Sequence, residues 1–348
     1  MKHKIILVGS GWATKGFLDK IDSSKYDIVV ISKSTDFVYQ HFLSEAVTCD
    51  KIETSFNLVQ KYPFITFIEN EVKHIDFTSK HINTVQSQEN KDYDYLILAH
   101  GSIINDFNIK GMKENAFFLK DHHDAHCLFN KLGSLKDGAH IAIIGSGLTG
   151  TEIMGHLLDT HKYNIHVIDG LSKPLNSFSL DTSQYVMDIM LKNNISTYFN
   201  QFVKNIDSST ITTHVGQKIN YDLAIWCGGI KIHPLSEKIN KQLKIDNKFG
   251  IVVEKNLQVT HAKNVFACGD CAYSGYVPSA QVAYQQGEYL AKQFNSDFKK
   301  KKDFQFKNKG QVCYVGNKKA VYEKDGIRLD GTLGYIMMKC VKLYIKYF

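Results

Sequence analysis

The apolar positions of this chain fall into short runs that end in glycine-rich turns, with helical patterns following the turns. Residues 4–8 (Lys-Ile-Ile-Leu-Val) read as a buried strand running into Gly9-Ser10-Gly11. Phe17, Leu18 and Ile21 then recur at helical spacing, and a second apolar strand covers 27–31. The arrangement recurs further on. A strand at 140–144 meets Gly145-Ser146-Gly147-Leu148-Thr149-Gly150, and a strand at 164–168 ends in Asp169. Three more apolar runs end in small-residue turns: 93–98 before Ala99-His100-Gly101, 221–227 before Gly228-Gly229, and 264–268 before Gly269-Asp270. A helix opens near Ala280. Continuous apolar strands alternating with helices predict an α/β protein on parallel sheets. The two β-α-β units predict two Rossmann-like dinucleotide-binding domains.

The glycine positions carry a specific chemistry. Gly9 and Gly145 permit a tight turn, Gly11 and Gly147 let backbone approach a pyrophosphate, and the following helix start faces the phosphate charge. Gly150 completes the G-x-G-x-x-G pattern in the second unit, whereas Thr14 stands at that place in the first and predicts looser packing there. Asp169 lies 24 residues past Gly145, a spacing suited to gripping an adenosine ribose. Its charge would repel a 2′-phosphate and no arginine lies near, so this unit should prefer NADH to NADPH. In the first unit Ser32 occupies the place where a carboxylate usually holds the ribose. Two dinucleotide units suggest two dinucleotides. FAD on the first and NADH on the second is the economical pairing, with hydride transfer as its chemistry.

Composition narrows the class. The 348 residues are 43% apolar and 22% charged, which suits two domains with a real core. Seven scattered cysteines do not make a disulfide scaffold, and no run of 18 apolar residues predicts a spanning helix. An apolar strand starting at residue 5 gives the expectation of no signal or transit peptide and of a cytoplasmic-side location. The net charge of +7 is uneven: residues 292–348 hold 14 basic and 5 acidic residues, which leaves −2 for the rest. A basic tail seeks lipid headgroups or nucleic acid. Arg328 is the only arginine, so nucleic acid is the weaker partner.

Near the end, Lys339, Lys342 and Lys346 fall within about 60° on a helical wheel. Ile336, Met337, Cys340, Val341, Tyr344, Ile345, Tyr347 and Phe348 take the remaining face. This predicts a basic amphipathic helix able to lie in a membrane interface. The rival is a helix docked on the protein's own core or on a second copy in a homodimer. The lysine run 299–302 reads as a solvated linker. Expected boundaries are a split FAD domain (1–104 and 250–295), an inserted NAD domain (105–249) and a C-terminal cap (296–348).

Two tempting clusters are set aside. Cys268 and Cys271 form a C-x-x-C, but it sits inside a strand-to-turn, and neither glycine motif is followed by a cysteine pair. The Asp121-His122-His123-Asp124-Ala-His126-Cys127 segment looks like a metal cluster without a second ligand set, and reads better as an exposed helix start, so no metal is expected.

At these residues the chain resembles the two-dinucleotide-binding flavoprotein reductases. Within them it is similar to the type II, non-proton-pumping NADH:quinone oxidoreductases. Gly9-Ser-Gly-Trp12, residues 117–121, Gly150-Thr-Glu152, residues 280–286 (Ala-Gln-Val-Ala-Tyr-Gln-Gln) and residues 309–316 carry the likeness over nearly the whole chain. The resemblance implies that Gly9, Gly11, Trp12, Ser32, Ala99, Gly101, Gly269, Asp270, Ala280 and Gln281 meet FAD. It implies that Gly145, Gly147, Gly150, Asp169, Gly228 and Gly229 meet NADH. Gln281 and Gln285 would line a quinone pocket, and Glu152 would stand beside the flavin with a proton-handling role. His41 and Tyr284 depart from residues frequent in that family. Other readings are an apoptosis-inducing-factor-like NADH oxidoreductase with another acceptor, a sulfide:quinone oxidoreductase lacking a convincing cysteine set, and a flavin sensor or scaffold without turnover.

Overall fold

The computed structural model describes residues 2–87, 90–299 and 302–347. Lys300 and Lys301 of the lysine run, Phe348 and the side chain of Tyr347 lie outside the described residues. The chain divides into two compact units, Met1–Val38 with Ser55–Ile103 and Ile230–Asn308, and Tyr39–Thr54 with Ile104–Gly229 and Lys309–Phe348.

The first unit is built on a five-stranded parallel sheet in the order Val265–Ala267, Tyr95–Leu98, His3–Val8, Tyr26–Ser32, Ile65–Glu69. The strands are aliphatic almost throughout because both faces are covered. Ile6, Val8, Val29, Ile31, Leu96, Leu98 and Val265 share a buried cluster with Leu235 and Ile239. Those last two project from the helix Pro234–Gln242, and they explain why residues 230–249 group with this unit, whereas the sequence reading put the boundary at 250. The helices Trp12–Leu18 and Ala280–Asn295 pack backbone to backbone. A Cβ on Gly16 would lie 2.2 Å from the Tyr284 carbonyl oxygen, and one on Gly287 would lie 2.0 Å from that of Ala13. Phe17 and Phe294 close the same interface edge to face at 5.6 Å.

The second unit repeats the plan with the parallel order Ala116–Phe117, Leu223–Trp226, His140–Ile144, Asn164–Ile168, Ser196–Tyr198. The C-terminal residues join this unit rather than forming a separate cap. An antiparallel sheet of Gln311–Gly316, Lys319–Lys324 and Ile327–Leu329 sends Cys313, Val315 and Val321 into the core that holds Ile153, Met154 and Leu157. Val47, just past the helix Gln40–Ala46, enters the same core, which is why residues 39–54 belong here. The final helix runs Gly331–Tyr347 and is amphipathic, as its pattern predicts, and its lysines meet carboxylates while Lys339 and Lys346 stay exposed. Lys342 is buried and its Nζ lies 2.7 Å from a Glu45 carboxylate oxygen; Lys339 stands 3.9 Å from Glu45 and Lys346 pairs with Glu53 at 2.8 Å. An outward stripe of the same helix is apolar: Leu333, Ile336, Leu343 and Tyr344 are each more than half exposed.

Replacing Gly287 by Ala should force the two helices of the first unit apart at Ala13 and lower stability by about 1–3 kcal/mol. Urea unfolding of the purified variant measures this, with an unchanged midpoint as the contrary result.

Candidate cofactor and active-site residues

The first unit brings its strand ends together at one edge of the sheet, the position where open α/β sheets bind ligands. Gly9 has φ +113°, and a Cβ there would stand 2.3 Å from the Ala99 carbonyl oxygen. The turn can therefore close only as glycine. Gly11 has nothing within 4 Å of a Cβ position, which leaves room for a pyrophosphate against the backbone. Thr14 is fully buried and its Oγ1 donates to the Gly9 carbonyl at 2.8 Å. A hydroxyl thus fills the gap that a third glycine would remove. Ser32 ends its strand with its hydroxyl 3.0 Å from that of Ser10 inside the glycine turn.

The other predicted residues of this unit gather nearby. Gly269 stands with Ala13 and Ala283 around it, and Asp270 accepts from the Ser102 hydroxyl at 2.9 Å, one residue past Gly101. Trp12 packs edge to face on Phe37 at 4.9 Å and on Tyr284 at 6.4 Å. Ala280 and Gln281 open a helix capped by Ser279, whose Oγ accepts from the Val282 N–H at 3.2 Å. Gln285 is different. Its amide exchanges two hydrogen bonds with the backbone of Lys307, at 2.9 and 3.0 Å, so it anchors that segment. Gln286, to which the sequence reading gave no role, is fully buried. It accepts from the Gly269 N–H at 2.7 Å and donates to Ser274 at 2.8 Å, holding the turn before Asp270 in place.

The second unit repeats the geometry with a different charge. Gly145 has φ +102°, and a Cβ would stand 2.4 Å from the Cys227 carbonyl oxygen. Gly147 is open, and Gly150 abuts the Gly145 carbonyl, where a Cβ would come to 1.9 Å. Gly228 lies under the Trp226 ring and Gly229 follows with φ +116°. The Asp169 carboxylate accepts from both the N–H and the hydroxyl of Ser146 at 2.6 Å, and from the Leu171 N–H at 2.8 Å. The serine between the two glycines thus ties each turn to the end of the next strand in both units. The signal was legible, since Ser10 and Ser146 occupy the same place in their motifs. Both clefts fit a dinucleotide: an obligatory glycine, an open glycine for the phosphates, and a polar strand end for a ribose.

Glu152 sits in the helix Leu148–Thr160 of the second unit and accepts from the Ser44 hydroxyl at 2.8 Å. Burial pushes its carboxyl above the ordinary glutamate range; Lys342, Ser44 and the Tyr314 backbone pull it back only in part. The partner residues came from distant segments, so spacing could not reveal them. The two set-aside clusters have other occupations. The Cys268 and Cys271 thiols are fully buried, and burial pushes Cys271 up to about 12, unsuited to thiolate chemistry. Asp121, His123 and Asp124 do lie close together, but the two carboxylates form a reciprocal capping box at the start of the helix His122–Gly133.

Substituting Ala at Gly9 should leave purified protein without its yellow cofactor. The same change at Gly145 should preserve that colour and abolish NADH binding, as read by absorbance and by calorimetric titration.

The chain is 30% identical to a probable NADH dehydrogenase of Dictyostelium discoideum, over 98% of this chain and 85% of that protein. It is 26% identical to a probable mitochondrial NADH-ubiquinone oxidoreductase of Schizosaccharomyces pombe, over 98% and 78%. Its fold is that of NDH2 from Plasmodium falciparum, solved in complex with NADH: TM-score 0.91 at 22% identity, covering 99% of this chain and 95% of the other. The model of the pyridine nucleotide-disulphide oxidoreductases matches residues 3–287, which takes in both glycine turns and the Gly269-Asp270 element. By that match the chain belongs to the pyridine nucleotide-disulphide oxidoreductase family.

Proposed function

We infer that this chain is an FAD-dependent oxidoreductase that takes a hydride from NADH and delivers the electrons to a quinone. The observation that carries this is the likeness, over 98% of the chain, to the Dictyostelium protein named as a probable NADH dehydrogenase. The S. pombe relative, named as an NADH-ubiquinone oxidoreductase, supplies the acceptor class. FAD, when bound, accepts the hydride and passes on the electrons.

The chain's own residues do the rest. Gly9, Gly11, Ser32, Ala99, Gly101, Gly269 and Asp270 would hold FAD, with Trp12, Ala280 and Gln281 at the same strand-end edge. Gly145, Gly147, Gly150, Gly228 and Gly229 would hold the NADH phosphates and backbone. Asp169 would take the adenosine ribose and disfavour a 2′-phosphate. Reducing a quinone to a quinol takes up two protons as well as two electrons. Glu152 is suited to handling one of those protons, since burial keeps its carboxyl protonated nearer to neutrality than a free glutamate. Gln281, in the first turn of its helix, would line the quinone pocket with Gln285, whose amide also anchors the Lys307 backbone.

A quinone acceptor requires access to a bilayer. Among the described residues no helix is long and apolar enough to cross one. The outward stripe of Leu333, Ile336, Leu343 and Tyr344 on the final helix is the surface we assign to membrane contact. The sequence pattern predicts this contact for the basic amphipathic helix as a whole. With Lys342 buried against Glu45 and Lys346 paired with Glu53, apolar burial would supply most of the binding energy.

Purified protein should show a flavin spectrum that NADH bleaches and a short-chain quinone restores; absence of flavin or of quinone turnover overturns the assignment. Asp169→Ala should raise KM for NADH and erode its preference over NADPH. Liposome flotation should be lost in a Leu333→Glu, Ile336→Glu, Leu343→Glu variant and should persist in high salt. Should the stripe cover a second copy instead, the variant will halve the mass in light scattering.

A further inference from the structure

The first unit buries an ion pair that the proposed reaction leaves without a role. Lys15, in the helix Trp12–Leu18, is 4% exposed, a rare situation for a lysine. Its Nζ lies 2.6 Å from a carboxylate oxygen of Asp19, one turn on. Asp19 takes two further donors, the Tyr62 hydroxyl at 2.5 Å and the Tyr284 hydroxyl at 3.0 Å. Burial acts upward on the Asp19 carboxyl, but Lys15 and the two phenols hold it below the ordinary aspartate value and ionised. Helix packing does not call for this group, since Gly16, Gly287 and the Phe17–Phe294 contact already close the interface. Stability explains it poorly too, because well-packed apolar side chains of similar volume would serve as well as a buried ion pair.

What the group does hold is one ring. Tyr284 is fixed at three points: its hydroxyl on Asp19, its ring under the Lys15 ammonium at 5.1 Å from the centroid, and an edge contact with Trp12 at 6.4 Å. Trp12 in turn sits edge to face on Phe37 at 4.9 Å, and Phe37 stacks on Phe56 at 4.8 Å. Lys61 closes the far end, with its Nζ 4.6 Å from the Phe56 ring centroid. Four aromatic side chains thus form one chain of contacts, with a cation at each end and the only carboxylate of the group at Tyr284. Gln281 stands one turn before Tyr284 on the same helix, and Trp12 begins the helix that follows Gly11. A phenol held by a carboxylate and a cation cannot tilt or slide, so Trp12 rests on a fixed neighbour.

We propose that Lys15, Asp19 and Tyr62 are positioning residues that lock Tyr284, and through it the Trp12 ring, and that the rigid aromatic wall so formed beside Gln281 sets which quinone ring the enzyme accepts. The proposal rests on the quinone reading and on Gln281 lining the acceptor pocket. It adds a selectivity device whose charged members need not touch the acceptor. A wall that cannot yield discriminates between rings of different bulk, whereas a mobile one admits both.

The test uses full-length, flavin-loaded protein and two readouts. One is the ratio of kcat/KM for a short-chain benzoquinone to that for a two-ring naphthoquinone, at saturating NADH. The other is the fluorine resonance of Trp12 in protein labelled with 5-fluorotryptophan, identified by its survival in Trp226→Phe, since the chain holds two tryptophans. Tyr284→Phe removes one hydroxyl and keeps the ring. It should retain the flavin and the rate at which NADH bleaches it, move the ratio toward one by roughly threefold or more, and shift the Trp12 resonance. Lys15→Met combined with Asp19→Asn leaves no buried unpaired charge and should do the same. A parent that treats the two rings alike, a ratio unmoved in both variants, or an unchanged resonance overturns the proposal. Equal losses for both quinones also overturn it, since they mark a structural role alone. If the resonance shifts but the parent reduces neither quinone, the tether on Trp12 stands, and the quinone reading falls with the selectivity built on it.

Discussion

The two halves of this protein depend on the same steric constraint, a backbone carbonyl that closes on a glycine where no side chain fits. At Gly9 the carbonyl belongs to Ala99, and at Gly145 it belongs to Cys227. Each glycine N–H donates at 2.8 Å to the last residues of the neighbouring strand, Ile31 in one unit and Ile168 in the other. The turn is thus clamped between the two strands that flank it in the sheet. That clamp aims the following helix and leaves Gly11 and Gly147 open to a ligand. Moving either carbonyl would displace the strand end that carries it, so the cleft and the sheet stand or fall together.

On this shared frame the units differ by one charge. Both tie the serine of the glycine turn to the polar residue that ends the second strand. The tie is hydroxyl to hydroxyl at Ser10 and Ser32, and hydroxyl and amide to carboxylate at Ser146 and Asp169. A charge-assisted contact is stronger and also repels phosphate. The neutral version tolerates a wider range of polar groups. The same fold thereby presents two clefts of like geometry and unlike charge.

The C-terminal residues show how an amphipathic pattern can be legible while the partners of its faces are not. Lys339, Lys342 and Lys346 do share a face. Glu45 and Glu53, nearly three hundred residues earlier, pair with that face and bury Lys342, while Lys339, Lys346 and an apolar stripe stay exposed. A wheel reports which residues lie together but carries no information on what the rest of the chain presents to them. Buried Lys342 also brings a positive charge to bear on Glu152, which the linear sequence keeps far from it.

Local rules made the strands, the glycine turns and the acid after the second one readable, because periodicity and φ above zero are properties of neighbouring residues. The strands 140–144 and 164–168 begin and end where their apolar runs do. Other features arise from contacts between distant segments and had no local signature. Residues 230–249 join the first unit through Leu235 and Ile239, and residues 39–54 join the second through Val47. Gln285 and Gln286 are neighbours of one residue type in one helix, yet one holds Lys307 and the other holds Gly269. Glu152 gains its partners from the helix Gln40–Ala46 and the final helix. Candidate residues for the chemistry could be listed from the amino-acid order, but their protonation and their exposure required the packed chain, because burial and charge depend on what lies nearby in space.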